Sequence, residues 1–170
     1  MKSKRLLRTI LILLLLALNI GCDQVTKAIV RDKMDSNSYY PFLYNHFTLV
    51  RVENTGAFLS LGDSLPGILK IILLNILPLI AIIWGIVFIL TKINLNRVTL
   101  FSLILIIGGG AGNLYDRMVH GSVTDFMWMN LILFKTGVFN VADLSITTGV
   151  IIILIQALLE RKQGLVETEK

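Results

Sequence analysis

The sequence predicts a membrane all-α fold: four transmembrane helices with a small extracytoplasmic β element, the N- and C-termini both cytoplasmic. Three observations carry that expectation. Mean hydropathy is +0.77 and 55% of the 170 residues are hydrophobic, far above a soluble domain. The apolar residues gather into four long runs. The basic residues stand at the ends of those runs and form no single patch, so the net charge of +5 reads as membrane orientation and no nucleic-acid partner is expected. One cysteine excludes an intramolecular disulfide and any multi-cysteine metal site.

The first span is expected over residues 9–30. Residues Met1 to Cys22 open with Lys2, Lys4, Arg5 and Arg8, continue as an apolar run and end in Gly-Cys before Asp23. A lipoprotein precursor, cut before a lipid-bearing cysteine, begins the same way. Thr9 to Cys22 is about 14 residues, shorter than the roughly 20 a span needs, and reaches span length only by continuing through Asp23 and Lys27. Asn19 stands where a lipoprotein signal has an aliphatic residue, and three more spans follow. An uncleaved first helix is therefore expected.

The second span is expected over 67–91, where Pro78 should kink the helix, a distortion that membrane helices tolerate when neighbours satisfy the freed carbonyl. The third is expected over 97–116 and the fourth over 138–160, within one integral-membrane domain covering 1–170. Lys92, Arg97, Arg161 and Lys162 join the basic N-terminus on one side, which the excess of basic residues assigns to the cytoplasm. The connections 31–64 and 118–136 then lie outside. FTLVRVEN (47–54) and VTDFMWMNLILF (123–134) read as strands of a small sheet on the outer membrane surface, with Trp128 at interfacial depth. For Trp128 and Trp84, packing into lipid or core is the simpler account.

This topology sends every polar residue that interrupts an apolar run to the same side. Asp23 and Lys27 lie at the outer end of span one, Asn113, Asp116 and Arg117 at that of span three, and Asn140 and Asp143 at that of span four. Asn54, Gly56 and Asp125 fall in the outer connections. An ionisable group in a bilayer costs a few kcal/mol, so several at one depth imply a polar pocket near the outer leaflet. Each has a bland reading. Asp23 and Lys27 are spaced as a helical ion pair, and Asp116-Arg117 is a possible charge pair at a helix end. IIGGGAGN (106–113) suits helix packing, and Asn54-Thr55-Gly56 suits a turn. His46 and His120 fall in outer loops without ligand spacing. Asp143 resists such a reading, because the fourth span has already begun there.

At these residues the chain resembles the lipoprotein signal peptidases, or type II signal peptidases, over nearly its whole length. The matching segments come in order: DQVTK (23–27), NTGAF (54–58), GGAGNLYDR (109–117), VTDF (123–126) and FNVAD (139–143). The resemblance implies an aspartic endopeptidase of the bacterial cytoplasmic (inner) membrane, with its active site at the outer leaflet. It would cleave diacylglyceryl-modified prolipoproteins on the N-terminal side of the lipidated cysteine, with Asp125 and Asp143 as the catalytic pair. Leu144 stands where the family often has a small residue, and LSLGD after NTGAF is a less familiar segment.

The chemistry leads to the same pair from three candidates, Asp116, Asp125 and Asp143. Two close carboxylates cannot both ionise comfortably, so they share a proton; one activates water while the other stabilises the oxyanion and protonates the leaving amine. Arg117 beside Asp116 in sequence favours a permanently charged carboxylate, a brace rather than a member of a shared-proton pair. A presenilin-like pairing of Tyr115-Asp116 is rejected, since Val141-Ala142 precedes Asp143 where such enzymes need glycine. Asn54, Gly56, Asn113, Asp116, Arg117, Asn140, Asp23 and Lys27 are expected to bind substrate or support the pair, with Arg117 contacting a substrate carbonyl or anchoring Asp116. Phe58 is expected to close over the substrate. No metal or other cofactor is expected; membrane lipid is, and so is action as a monomer.

Three rival classes are weaker. A four-span exporter needs its acid near the midplane, and here the acids cluster at one end. A non-catalytic lipoprotein or assembly factor would lose its first 21 residues and carry lipid on Cys22. A serine–lysine peptidase built on Lys27 or Lys70 lacks a serine at convincing spacing.

Overall fold

The computed structural model describes residues 2–36, 38–44, 46–57, 65–131 and 134–168, of which 162–168 by backbone alone. Among the described residues, four helices are long and apolar enough to cross a membrane: α1 (Lys2–Lys33), α2 (Gly67–Thr91), α3 (Arg97–His120) and α4 (Val141–Thr168). A four-stranded antiparallel sheet in the order β1 (Tyr39–Phe42), β2 (Phe47–Asn54), β3 (Val123–Leu131) and β4 (Phe134–Lys135) fills the two longer connections. The strand expected at 47–54 forms over those residues, and the one at 123–134 forms as β3 and the start of β4, apart from 132–133, which lie outside the described residues.

Helix boundaries differ from expectation where caps decide them. The fourth helix begins at Val141, not Val138. Asp143 Oδ2 accepts from the Asn140 N–H at 3.1 Å while the Asp143 N–H donates to Asn140 Oδ1 at 3.0 Å. This reciprocal cap satisfies first-turn donors and fixes the start. The third helix runs past Asp116 to His120 and stops at Gly121, whose φ of 77° is the left-handed conformation that glycine tolerates. Two residues later the chain is already in β3. At its other end Asn96 accepts from the Val98 N–H at 3.0 Å. Pro78 leaves its mark as a π-helical turn, Ile72–Ile76, just ahead of it, which absorbs the hydrogen bond that proline cannot make.

Helix α3 is the hub. Of its most apolar stretch 44% is buried, against 6% for α2, because its glycines let two neighbours approach. A Cβ on Gly109 would stand 2.5 Å from the Ala142 carbonyl oxygen of α4, and one on Gly112 would stand 2.5 Å from Asp23 Oδ2 of α1. Away from the sheet, Ile12, Leu16, Ile89, Ile104 and Ile107 form one apolar cluster. Beneath the sheet, Val30, Met34 and Phe126 form a second. Two arginines finish helix ends: Arg8 donates to the Ile89 and Lys92 carbonyls, and Arg51 from β2 donates to the Arg31 and Met34 carbonyls.

The sheet positions the candidate site. Between β2 and β3, Leu49 pairs with Met127 and Val52 with Asp125, so β2 carries one extra residue there, a bulge beside Asp125. On its other side β3 is tied to the chain entering α4. Phe126 and Met127 donate their N–H groups to the Phe139 carbonyl at 3.0 and 2.8 Å, and the Phe139 N–H donates to the Met127 carbonyl at 2.8 Å. Two segments distant in sequence are thereby joined within a few residues of Asp125 and Asp143.

Trp84 is exposed on α2 and stacks on Phe88, while Trp128 is half-buried under Lys135. His120 ends α3 rather than lying in a loop and contacts Arg31; His46 Nδ1 lies 2.8 Å from the Asn130 carbonyl. Phe58 and the whole LSLGD segment (59–63) lie outside the described residues.

Candidate active site

A cleft of about 430 Å³ opens between α2 and α4 beneath the sheet. Its polar side is lined by Asn54, Asn113, Arg117, Asp125 and Asp143. Its apolar wall is Leu73, Leu74 and Pro78 of α2 and Ile146 of α4. The combination suits a substrate with one apolar face and one peptide group to be processed.

Asp125 is 3% exposed and accepts two amide hydrogen bonds, at Oδ2 from Asn54 Nδ2 (2.9 Å) and at Oδ1 from Asn140 Nδ2 (2.6 Å). Burial pushes its carboxyl up to about 6, against the Asn54 donor; the Asp143 charge adds to the rise and Asn140 opposes it. Asp143 accepts from Asn113 Nδ2 at 2.8 Å and from the Asn140 main chain. Asn140 is therefore bonded to both acids, through its amide to Asp125 and through its backbone to Asp143. Its amide also reaches Asn113 Oδ1 at 3.2 Å.

Below this layer lies a charged one. Lys27 Nζ is 2.8 Å from each of Asp23 Oδ2, Asn113 Oδ1 and Asp116 Oδ2, and all three charged side chains are fully buried. Asp23 Oδ1 accepts from the Ala142 N–H at 2.9 Å, pinning the first turn of α4, where a negative charge is favoured. Gln24 Nε2 donates to Asp23 Oδ2 and to the Gly112 carbonyl, 3.1 Å each. The ion pair read from the spacing of 23 and 27 is thus present, and Lys27 holds Asn113 as well.

One expectation is corrected here. Arg117 does not anchor Asp116. Consecutive residues on a helix point about 100° apart, so neighbours in sequence do not face each other. Asp116 turns inward to Lys27 and to Arg31 Nη2, at 2.7 Å. Arg117 turns to the cleft, where Nη2 donates to the Gly56 carbonyl at 2.8 Å. Gly56 in turn donates its N–H to Asn54 Oδ1 at 3.0 Å, so the NTG turn holds Asn54 for Asp125.

The comparisons bear on what this arrangement is for. The family model for signal peptidase (SPase) II matches residues 15–159.

The chain belongs to the signal peptidase II family.

A lipoprotein signal peptidase of Francisella tularensis subsp. novicida is 34% identical over 156 residues, covering 89% of this chain and 93% of that one. One of Staphylococcus haemolyticus is 32% identical over 136 residues, covering 80% and 83%. A solved bacterial membrane enzyme superposes with a TM-score of 0.78 at 29% identity, covering 90% of each chain. The protein is a signal peptidase II aspartic peptidase, and its four apolar helices and small sheet fit a membrane fold.

Of the candidate site residues of this signal peptidase II, Asn54, Asn113, Arg117, Asp125 and Asp143 line the cleft, Gly56 and Asn140 hydrogen-bond to residues that line it, and Asp23, Lys27 and Asp116 form the charged layer beneath. Among the described residues no group of three or more His, Cys, Asp or Glu side chains is placed to hold a metal ion. The sequence reading missed Arg31, Thr124 and Gln24. A signal existed for Arg31: with Asp23 and Lys27 it forms a stripe spaced by four residues, one helix face.

Proposed function

We propose that the protein removes the signal peptide from diacylglyceryl-modified bacterial prolipoproteins, cleaving on the N-terminal side of the lipidated cysteine with water activated by Asp125 and Asp143. The observation that carries this reading is the pair itself: two aspartates from different elements, bonded to one asparagine, at the polar head of an apolar-walled cleft. The resident proton belongs to the pair. The ionised member takes a proton from water as the oxygen attacks the scissile carbonyl. The protonated member hydrogen-bonds the developing oxyanion and then gives its proton to the leaving nitrogen as the carbonyl re-forms and the C–N bond breaks, so the pair ends with one proton, the one taken from water.

Around the pair, Asn54, Asn113 and Asn140 hold the carboxylates in register. Arg117 Nε is buried without a hydrogen-bond partner among the described residues, a donor available to a substrate carbonyl. Its neighbour Asn113 is fixed by Lys27, which Asp23 and Asp116 hold. Leu73, Leu74 and Ile146 would lie along the signal peptide, and the diacylglyceryl chains would stay in lipid beyond them.

The proposal extends to placement. The protein would be a single multi-pass domain of the inner membrane with both termini cytoplasmic, the sheet outside and the cleft at outer-leaflet depth, working as a monomer. The clustering of Lys2, Lys4, Arg5, Lys92 and Arg97 at the end away from the cleft supports that orientation. The test is cleavage by purified protein in detergent with EDTA present, using a prolipoprotein with and without its diacylglyceryl group. The expected result is a cut only in the lipidated form, immediately before the cysteine by mass. No cleavage of the lipidated form, or a cut elsewhere, contradicts the proposal.

A further inference from the structure

Arg31 ends α1 in the sequence RDK, which reads as a solvated helix terminus. Its guanidinium is instead engaged on three sides. Nη2 pairs with Asp116 Oδ1 at 2.7 Å, Nε donates to Thr124 Oγ1 at 2.8 Å, and Nη1 lies 3.1 Å from His120 Nε2. Two of these contacts lead to the two acids by separate routes. Asp116 holds Lys27, Lys27 holds Asn113 Oδ1, and Asn113 Nδ2 holds Asp143 Oδ1, each link 2.8 Å. Thr124 immediately precedes Asp125 in β3, and neighbouring strand residues face opposite sides. Arg31 therefore grips β3 from behind Asp125. The Thr124 hydroxyl is completed by Glu53, which accepts from it at 3.1 Å from the paired position on β2.

Charge points the same way. Asp23, Lys27 and Asp116 together carry one net negative charge in a fully buried cluster. Arg31 makes the cluster neutral, which a buried group of ions requires.

We infer that Arg31 is a positioning residue: it sets the separation of Asp125 and Asp143 by tying β3 to the buried Asp116–Lys27 anchor, without touching substrate. The inference rests on the two-aspartate reading above. The planar fork of arginine is what makes it possible, since a lysine ammonium at that site reaches either Asp116 or Thr124 but not both in the same geometry.

The experiment compares wild type, Arg31→Gln, Arg31→Lys and Thr124→Val as purified full-length proteins. It measures kcat and KM on the lipidated prolipoprotein, with the thermal midpoint alongside. Arg31→Gln is expected to lose about 10- to 100-fold in kcat with KM within about twofold, the signature of misplaced reacting groups. Arg31→Lys is expected between Arg31→Gln and wild type. Thr124→Val cuts only the strand-side route and keeps the ion pair, and is expected to lose about fivefold in kcat per folded molecule, with a smaller fall in thermal midpoint than Arg31→Gln. A folded Arg31→Gln with wild-type kcat overturns the inference, as does a lowered midpoint with kcat per folded molecule unchanged. If Arg31→Gln does not fold, Thr124→Val decides, and wild-type kcat there overturns it. Asp125→Asn separates the two levels: activity in that variant sinks the aspartate pair, whereas a dead Asp125→Asn beside a fully active Arg31→Gln sinks only the role of Arg31.

Discussion

Replacing Lys27 by methionine should be among the most damaging single substitutions outside the cleft. The ammonium sits 2.8 Å from three acceptors, and neither it nor Asp23 nor Asp116 has any exposed side-chain surface. Methionine matches the length and the apolar stem, so packing is nearly kept and the change isolates the charge. Asp116 retains Arg31, and Asp23 retains Gln24 and the Ala142 N–H, but the cluster then holds two carboxylates against one cation. Removing one member of a buried ion pair typically costs about 3–5 kcal/mol, and the surviving partners place this case near the lower end. About 3 kcal/mol is on the order of a hundredfold in the folding equilibrium and a large share of an ordinary protein's stability. Equilibrium denaturation in mixed micelles would measure it. Adding Asp116→Asn to Lys27→Met removes the surplus charge, so the double variant should be more stable than Lys27→Met by about 1 kcal/mol or more. A cost below about 1 kcal/mol for Lys27→Met, or a double variant as unstable as the sum of the singles, would refute this account of the buried layer.

Other expectations follow from the same geometry. Because one acid must keep its proton, kcat should fall as pH rises through an apparent pKa at or above about 6, the position to which burial pushes Asp125. Asn54→Ala removes a donor that favours the ionised Asp125, so that limb should move to higher pH in a pH–rate profile; movement to lower pH contradicts the assignment. Gly109→Ala would press a methyl to 2.5 Å of the Ala142 carbonyl, where backbone must yield, and should cost about 1–3 kcal/mol and most of the activity, read by denaturation and cleavage together. Asn96→Ala removes the α3 N-cap far from the cleft and should cost about 1 kcal/mol in denaturation while leaving kcat unchanged.

The parts of this structure that sequence made legible are those governed by local pattern. Long apolar runs have few alternatives in a protein of this composition, so the four helices were readable even where a run had to be extended through charged residues, as at Asp23 and Lys27, to reach span length. Strand β2 was readable from its β-branched run. Strand β1 was not: YYPF is four residues long, contains proline, is exposed throughout and gains its order from pairing with β2. Helix starts depend on caps, and Asn140 with Asp143 moved one boundary by three residues. For the site, the side on which the polar residues gather followed from topology alone. The partner of Asp116 did not, because adjacency in sequence stood in for adjacency in space. Arg31 was overlooked since charges beyond a hydrophobic run look solvated; only the four-residue spacing from Asp23 through Lys27 marks it as part of the buried face.

The most direct test of the central claim is single-turnover cleavage of the lipidated prolipoprotein by wild type, Asp125→Asn, Asp143→Asn and the double variant, each first shown to be folded and to bind substrate. If the two carboxylates act as one unit, each single variant should lose at least about 10³-fold, and the double variant should be no slower than the worse single. Near-wild-type turnover in either single variant, or losses that multiply in the double, would mean that the two aspartates do not share the chemistry.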